Sequence, residues 1–531
     1  MNKVLMIGLD GATFSLIKPL IEDGIMPFLK EFLTQGVHGD LMSTLNPLTP
    51  PAWISMITGR SPDVHGVYDF TRPEFSDSNV FLKVYDSRDI RCETVWSMAS
   101  RQERRITSLN FYGMSPTFPV EGYMVSGFVS WKHLRSATYP QTLLDTLKNL
   151  PGFNYKSLSS DLSEEKKYVQ SEGVEEKYED WIKWQFERTQ AWADLLCHLM
   201  KTDPTELTSI VFDGPDKLQH FCWRYLDPQF SEIYSSPQDV YFRQLCLDYY
   251  RQLDNTIKHI VSLAAPETNV IMTSDHGFGP TTEVVYLNEW LARNDYLHWA
   301  NETEINSVGK LYPDQRQPKL IDWKSTLLFC PTPSSNAIFL NKANPSVKNL
   351  KNEDYVKLCT KLRQQLLDYR NPDDGEQIFV RVDFNESKMQ GRTALEYSPD
   401  LTVQLRDGGF VSVLRSAKVV IPRKKPEGTH RPNGIFIARG PDIKAGVQIQ
   451  PLSILDITPL LLYFLGLPIP TDLEGRVPTE ILKENALKEH AVEYQDFAKS
   501  FYDETQKHQD EISEEEKESL MAQLKLLGYM E

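Results

Sequence analysis

The sequence predicts an α/β protein: a three-layer sandwich with a mainly parallel central sheet, plus inserted cap segments. Three observations predict it. Short runs at Val4–Leu9, Ser209–Phe212 and Val270–Thr273 are apolar almost throughout, as central strands covered by helices on both faces must be. Each run ends at acidic residues: Asp10, Asp213 with Asp216, and Asp275. Between the runs lie helical patterns such as Tyr178–Leu199 and Tyr241–Leu263, and this alternation is the signature of a parallel sheet. Ligands of such sheets collect beyond the carboxyl ends of the strands, which is where these acids fall.

A chain of 531 residues exceeds one ordinary core, so insertions or a second domain are expected. The core is read as 1–278 together with 400–480, with 71–205 partly insertion. Residues 279–399 break the strand–helix rhythm and read as an inserted cap that shapes specificity. They hold a helix-like Leu287–Leu297, a Pro- and Asn-rich loop, and a strand at Asn336–Leu340. The strand-like Leu401–Leu405 and Val411–Leu414 are expected to return the chain to the main sheet. Residues 481–531 read as a charged helical tail, since Glu and Lys at this density mark a solvated face.

A net charge of -16 argues against general nucleic-acid binding, which needs clustered Lys and Arg. It leaves room for a small phosphorylated substrate, because a local metal pair overrules the global field. No transmembrane segment is expected: Ile454–Leu467 is too short and contains Asp456 and Pro459. Six scattered cysteines without a CxxC pair read as free thiols, and with no secretory leader in view the expected compartment is the cytoplasm. The sequence leaves the oligomeric state open.

Candidate ligands stand in four places. Asp10 follows the first strand and precedes Gly11, which allows a tight turn. Asp216 and His220 lie four apart, on one face if that segment is helical, where they can share a cation. Asp275 and His276 are adjacent at a strand end, so a turn must bring their diverging side chains together. His430 sits in a Gly- and Pro-flanked loop. Each has a bland alternative: a turn or cap aspartate, or a surface pair. The combination, in this order after those strands, is what points to metal chemistry.

Thr49 precedes Pro50 and Pro51, with a helix expected from Ala52 onward. It reads either as a helix N-cap or as a nucleophile whose hydroxyl is activated by a metal.

At these residues the sequence resembles the alkaline phosphatase superfamily, most closely its type I phosphodiesterase/nucleotide pyrophosphatase branch. Thr49 with Thr58-Gly59 matches the family's nucleophile spacing, and Ser61–Gly66 looks like its Pro-x-x-His-Gly turn. The later Asp-x-x-x-His, Asp-His-Gly and Gly-x-His motifs correspond to Asp216/His220, Asp275/His276 and His430, and Leu455–Pro459 looks like part of its closing segment. The resemblance spans 1–70, 205–280 and 400–478. It implies an alkaline-phosphatase-like fold and a metal-dependent hydrolase of phosphate esters, most plausibly a phosphodiesterase acting through a phospho-threonine on Thr49. It implies two divalent cations, zinc first, with Mn²⁺ or Fe²⁺ compatible with the same donors. Asp216, His220 and His430 would hold one cation, and Asp10, Asp275, His276 and the Thr49 oxygen the other.

The chain departs from the family in lacking an Asn between Thr49 and Gly66, so Lys217 or Arg60 is offered as the donor to a non-bridging oxygen. Either side chain is equally open to reading as a solvated charge. A sulfatase is disfavoured, because Thr49-Pro-Pro-Ala-Trp53 lacks the Cys/Ser-x-Pro-x-Arg setting. The alternatives are a phosphomonoesterase, a phosphoglycerate-mutase-like phosphoryl transferase and a non-catalytic, metal-braced binding protein. Trp131, Trp181, Trp184, Trp192, Trp223 and Tyr225 either stack a base or lipid head group or belong to the core.

Overall fold

The computed structural model describes residues 3–76, 79–159, 176–230, 233–300 and 321–496. The chain divides into two compact units. Among the described residues, the first comprises those within 3–67, 86–280 and 427–496, and the second those within 68–85 and 281–426.

The first unit is built on a ten-stranded sheet. At its centre Lys3–Leu9 runs parallel to both Leu207–Phe212 and Thr268–Thr273. Leu207–Phe212 continues in parallel to Ile106–Leu109 and then Gly122–Val125, while Asn433–Arg439 and Val37–Met42 extend the other side antiparallel. The central strands Leu207–Phe212 and Thr268–Thr273 are buried at every position, which explains the apolar runs Ile210–Phe212 and Val270–Met272 within them. Alternate side chains serve opposite faces. Leu5, Ile7 and Leu9 join the core formed with helices such as Phe14–Glu22, Glu176–Thr202 and Pro237–Leu263. Gly8 faces the other way, where a Cβ would stand 2.5 Å from the Trp53 ring of helix Thr49–Thr58. Only glycine admits that close approach of helix to sheet.

Helix Thr49–Thr58 is buried along its whole length, and Gly59 ends it in the left-handed conformation at φ 64°. The turn that follows brings His65 back beneath it. Val67 N–H donates to His65 Nδ1 at 3.1 Å, so Nε2 carries the proton and donates to Ser55 Oγ at 2.9 Å. Burial pushes this imidazole down to about 3. The unfolded chain takes up the proton near 6.5 and the native one resists it, so this stability is present above 6.5 and drains away as the pH falls toward 3. We expect roughly 2 kcal/mol to be lost between pH 7 and pH 5 from this group. Urea unfolding at the two pH values should therefore give a smaller difference for His65→Gln than for wild type, and equal differences would disprove the assignment.

The second unit has a four-stranded sheet, ordered Leu328–Phe329, Ala337–Leu340, Leu401–Leu405 and Phe379–Phe384, around its own core. Here the sequence-based expectation fails. Leu401–Leu405 pairs with Ala337–Leu340 and Phe379–Phe384, and Val411–Ser412 pairs with Val285–Tyr286, so neither strand joins the ten-stranded sheet. An apolar strand shows that it is buried but not against which sheet, because pairing partners are distant in sequence. The other expected elements are present: a helix at Leu287–Arg293, a strand at Ala337–Leu340 and long helices at Glu176–Thr202 and Pro237–Leu263. Of the charged tail, a short helix at Glu484–Glu489 is described, while Met521–Tyr529 lies outside the described residues. No described helix is long and apolar enough to cross a membrane.

Candidate metal centre and active site

The site lies at the carboxyl ends of the three central strands. Asp10 leaves Lys3–Leu9 and holds its backbone N–H to Phe212 O at 3.0 Å. Gly11 turns at φ 65° and donates its N–H to Asp275 Oδ1 at 3.1 Å. Helix Gly214–Leu226 opens with a proline in its first turn and carries Asp216 and His220 on one face. The turn after Thr268–Thr273 resolves the divergence of Asp275 and His276: Asp275 Oδ2 and His276 Nε2 come within 3.2 Å. Ser274 holds that turn, donating to Ala12 O and accepting from Ile435 N–H, both at 2.8 Å.

Two groups of buried donor atoms result, Asp216 with His220 and His430, and Asp10 with Asp275 and His276. In the first, Asp216 Oδ1 lies 3.1 Å from His430 Nε2 and 3.4 Å from His220 Nε2, and the two imidazole nitrogens are 3.1 Å apart. In the second, His276 Nε2 lies 3.6 Å from Asp10 Oδ1. The groups adjoin, since the His276 and His430 rings stack at 3.6 Å between centroids.

Both of these histidines are oriented from behind. His430 Nδ1 meets Pro47 O at 2.8 Å and His276 Nδ1 meets Gly277 O at 3.1 Å. A carbonyl only accepts, so each Nδ1 carries the proton and each Nε2 presents its lone pair inward.

This arrangement suits divalent cations on physical grounds. Asp10 Oδ1 and Asp275 Oδ2 are buried without a hydrogen-bond partner, and the Nε2 lone pair of His430 faces other acceptors. Without a cation such a cluster works against itself. Burial, and then the neighbouring Asp275 and Asp216, push the Asp10 carboxyl up. Burial, and then Asp216, push up Asp275. Burial and His430 push the His276 imidazole down. Burial also raises Asp216, but His220 and His430 outweigh it and hold that carboxyl well below the usual range. Mixed nitrogen and carboxylate donors at this density are what transition-metal sites offer.

Thr49 is the first residue of its helix rather than the cap, which is Leu48. Its Oγ1 lies 3.4 Å from His276 Nε2 and is almost fully buried. The helix start offers an anion little from its backbone. Pro50 and Pro51 have no N–H, and Ala52 N–H is taken by Leu48 O at 3.0 Å.

Lys217 and Arg60 have other partners. Lys217 is 1% exposed, with Nζ 3.4 Å from Asp213 Oδ2 and within 6 Å of the Trp184 and Phe128 rings. Arg60 donates to Asp472 at 2.8 Å and to Thr58 O at 3.0 Å. Arg188 escaped the sequence reading. It is 1% exposed and donates to Asp213 Oδ2 at 2.8 Å and to Ser159 O. Asn110 donates to Asp213 Oδ1 at 3.3 Å. Asp213 precedes the helix that bears Asp216 and His220, so this buried network braces both side chains from behind. The available signal was the position of Arg188 in an otherwise aromatic helical stripe with Trp181, Trp184 and Trp192. Of those aromatics, Trp181 and Trp192 are core residues, as are Trp223 and Tyr225.

With this geometry in view, the comparisons with known proteins become informative. The family model for type I phosphodiesterase / nucleotide pyrophosphatase matches residues 4–433. The chain belongs to that family. It is therefore a hydrolase of phosphoric esters, with the alkaline-phosphatase-like fold that the sequence predicted. No curated protein matches it by sequence. Among solved structures it resembles human ectonucleotide pyrophosphatase/phosphodiesterase 5, at a TM-score of 0.52 and 14% identity over 91% of this chain and 100% of that one. The murine counterpart, an inactive variant in complex with AMP, gives a TM-score of 0.51 and 14% identity over the same shares. Identities this low speak to the fold alone.

Proposed function

We propose that this hydrolase cleaves phosphodiesters in two steps through a covalent bond to Thr49, with two divalent cations held by the two donor groups. The observation that supports this most is the position of Thr49 Oγ1, buried and 3.4 Å from His276 Nε2, beside both sets of donors. Asp216, His220 and His430 would hold one cation. Asp10, Asp275, His276 and the Thr49 oxygen would hold the other. Zinc suits these donors best. Bound cations lower the pKa of a hydroxyl beside them and neutralise charge on the phosphoryl oxygens.

The protein's own part is geometric. Helix Thr49–Thr58, anchored through Trp53 Nε1 to Asp10 Oδ2 at 3.3 Å, sets the hydroxyl against the donor cluster. Thr49 Oγ bonds to phosphorus while the bond to the leaving ester oxygen breaks, and the proton it gives up ends on that departing oxygen, which leaves as the alcohol. Water then attacks phosphorus from the vacated side, the Thr49 oxygen leaves and is reprotonated, and a monoester is released. The AMP held by the murine relative makes nucleotide diesters the first substrates to try.

The test is to measure bound metal and turnover of bis(p-nitrophenyl) phosphate and p-nitrophenyl phosphate, before and after chelation. About two metals per chain, a faster reaction with the diester, and loss on chelation with recovery on adding Zn²⁺ are expected. Preference for the monoester would move the reading to a phosphomonoesterase. Metal-loaded protein inert toward both esters would favour the phosphoryl-transferase or binding-protein alternatives.

A further inference from the structure

The second unit contains a cleft of about 840 Å³. That lies in the range of roughly 300–1,000 Å³ typical of small-molecule sites. Its walls combine two kinds of surface. One is apolar, from Phe75, Val347, Leu350, Ala394 and Leu395. The other is charged: among the described residues, Lys342, Lys348, Lys388 and Arg392 stand against Asp400 and Glu396.

The charges do not all cancel. Asp400 is saturated within the unit. Its Oδ2 accepts from Leu340 N–H at 2.7 Å, and its Oδ1 from Lys388 Nζ at 2.9 Å and Tyr355 Oη at 3.1 Å. That consumes Lys388. Lys342 lies 3.7 Å from a Glu396 carboxylate that is itself 71% exposed, and a pair so exposed to water is weak. Lys348 and Arg392 add two further cations at the surface. Burial, and then repulsion from Lys388, push the Lys342 ammonium down, as befits a group whose charge is under-compensated. An excess of positive charge over an apolar floor matches one class of ligand: an anionic head carried on an apolar or aromatic body.

We propose that this cleft is a second binding site, independent of the metal centre, for a small organic anion whose phosphate or carboxylate head meets Lys342 and Arg392 while its body lies on Leu350 and Leu395. The metal-site residues all belong to the other unit, so occupancy here requires none of the proposed catalytic groups.

Isothermal titration of the full-length protein with 1-naphthylphosphonate, 1-naphthoate and uncharged 1-naphthalenemethanol tests it. The comparison is between wild type, the double variant Lys342→Gln/Arg392→Gln, and Ala394→Trp, which fills the cleft without changing its charge. Both variants should weaken binding of at least one anion tenfold or more while leaving hydrolysis of bis(p-nitrophenyl) phosphate unchanged. Preference for the phosphonate identifies a phosphoryl head, and preference for the naphthoate a carboxylate. Isotherms that are the same for all three proteins would overturn the proposal, as would the alcohol binding wild type as tightly as the anions, or no binding at all.

Discussion

Thr49→Ala is expected to lower kcat for bis(p-nitrophenyl) phosphate by at least about 10³-fold, the scale of losing a covalent nucleophile, while the protein keeps its metals. Three protein ligands, Asp10, Asp275 and His276, remain around the second cation position when the hydroxyl is gone. Thr49→Ser retains an oxygen at the same Cβ and should recover much of the rate. Both variants should also fold, because the change is small and falls on the first residue of a helix that is buried along its whole length. A rate within tenfold of wild type in Thr49→Ala would remove the covalent intermediate and leave direct attack by water as the route. Metal analysis of the same sample separates that result from simple loss of the cations.

The second large effect is expected at a residue with no side chain. In Gly428→Ala the new Cβ would stand 2.0 Å from the backbone oxygen of Gln219 and 2.8 Å from the Phe278 ring. Gln219 lies between Asp216 and His220 on their helix and donates through Nε2 to Gly11 O at 2.9 Å. The shortest contact is with backbone, so it is relieved only by moving the segment that bears His430 away from that helix. A shift of about 1 Å is enough to cost on the order of 10²-fold in rate. We expect loss of one metal equivalent and a similar loss of turnover, read by elemental analysis and by diester hydrolysis. Full metal content with wild-type activity would show that the segment yields without cost.

Much of this was legible in the sequence, for reasons that can be named. Val4–Leu9, Ser209–Phe212 and Val270–Thr273 declared themselves because strands buried on both faces are apolar almost throughout. The acids after them stood out because strand ends are where parallel sheets gather ligands. Asp216 and His220 were paired by helical spacing alone. Asp275 and His276 were not, since neighbours along an extended strand point apart; the turn pinned by Ser274 brings them to 3.2 Å. The destination of Leu401–Leu405 was misread because apolar character shows that a strand is buried, not which sheet receives it. Lys217 and Arg60 were offered as donors to a substrate; the carboxylate beside Lys217, Asp213, stood four residues earlier at helical spacing, whereas the partner of Arg60 lies 412 positions away and only folding supplied it.

The sequence by itself determined the fold class and the short list of chemical groups, because periodicity and local spacing act over a few residues and are written directly in the chain. Only the tertiary structure decided how those groups meet. It set His276 on His430, oriented their Nε2 atoms through carbonyls that no motif marks, and used Arg188 to fasten the start of the helix carrying Asp216 and His220. The physical reason is that hydrogen bonds and close packing join residues hundreds of positions apart, at distances that three-dimensional folding alone sets.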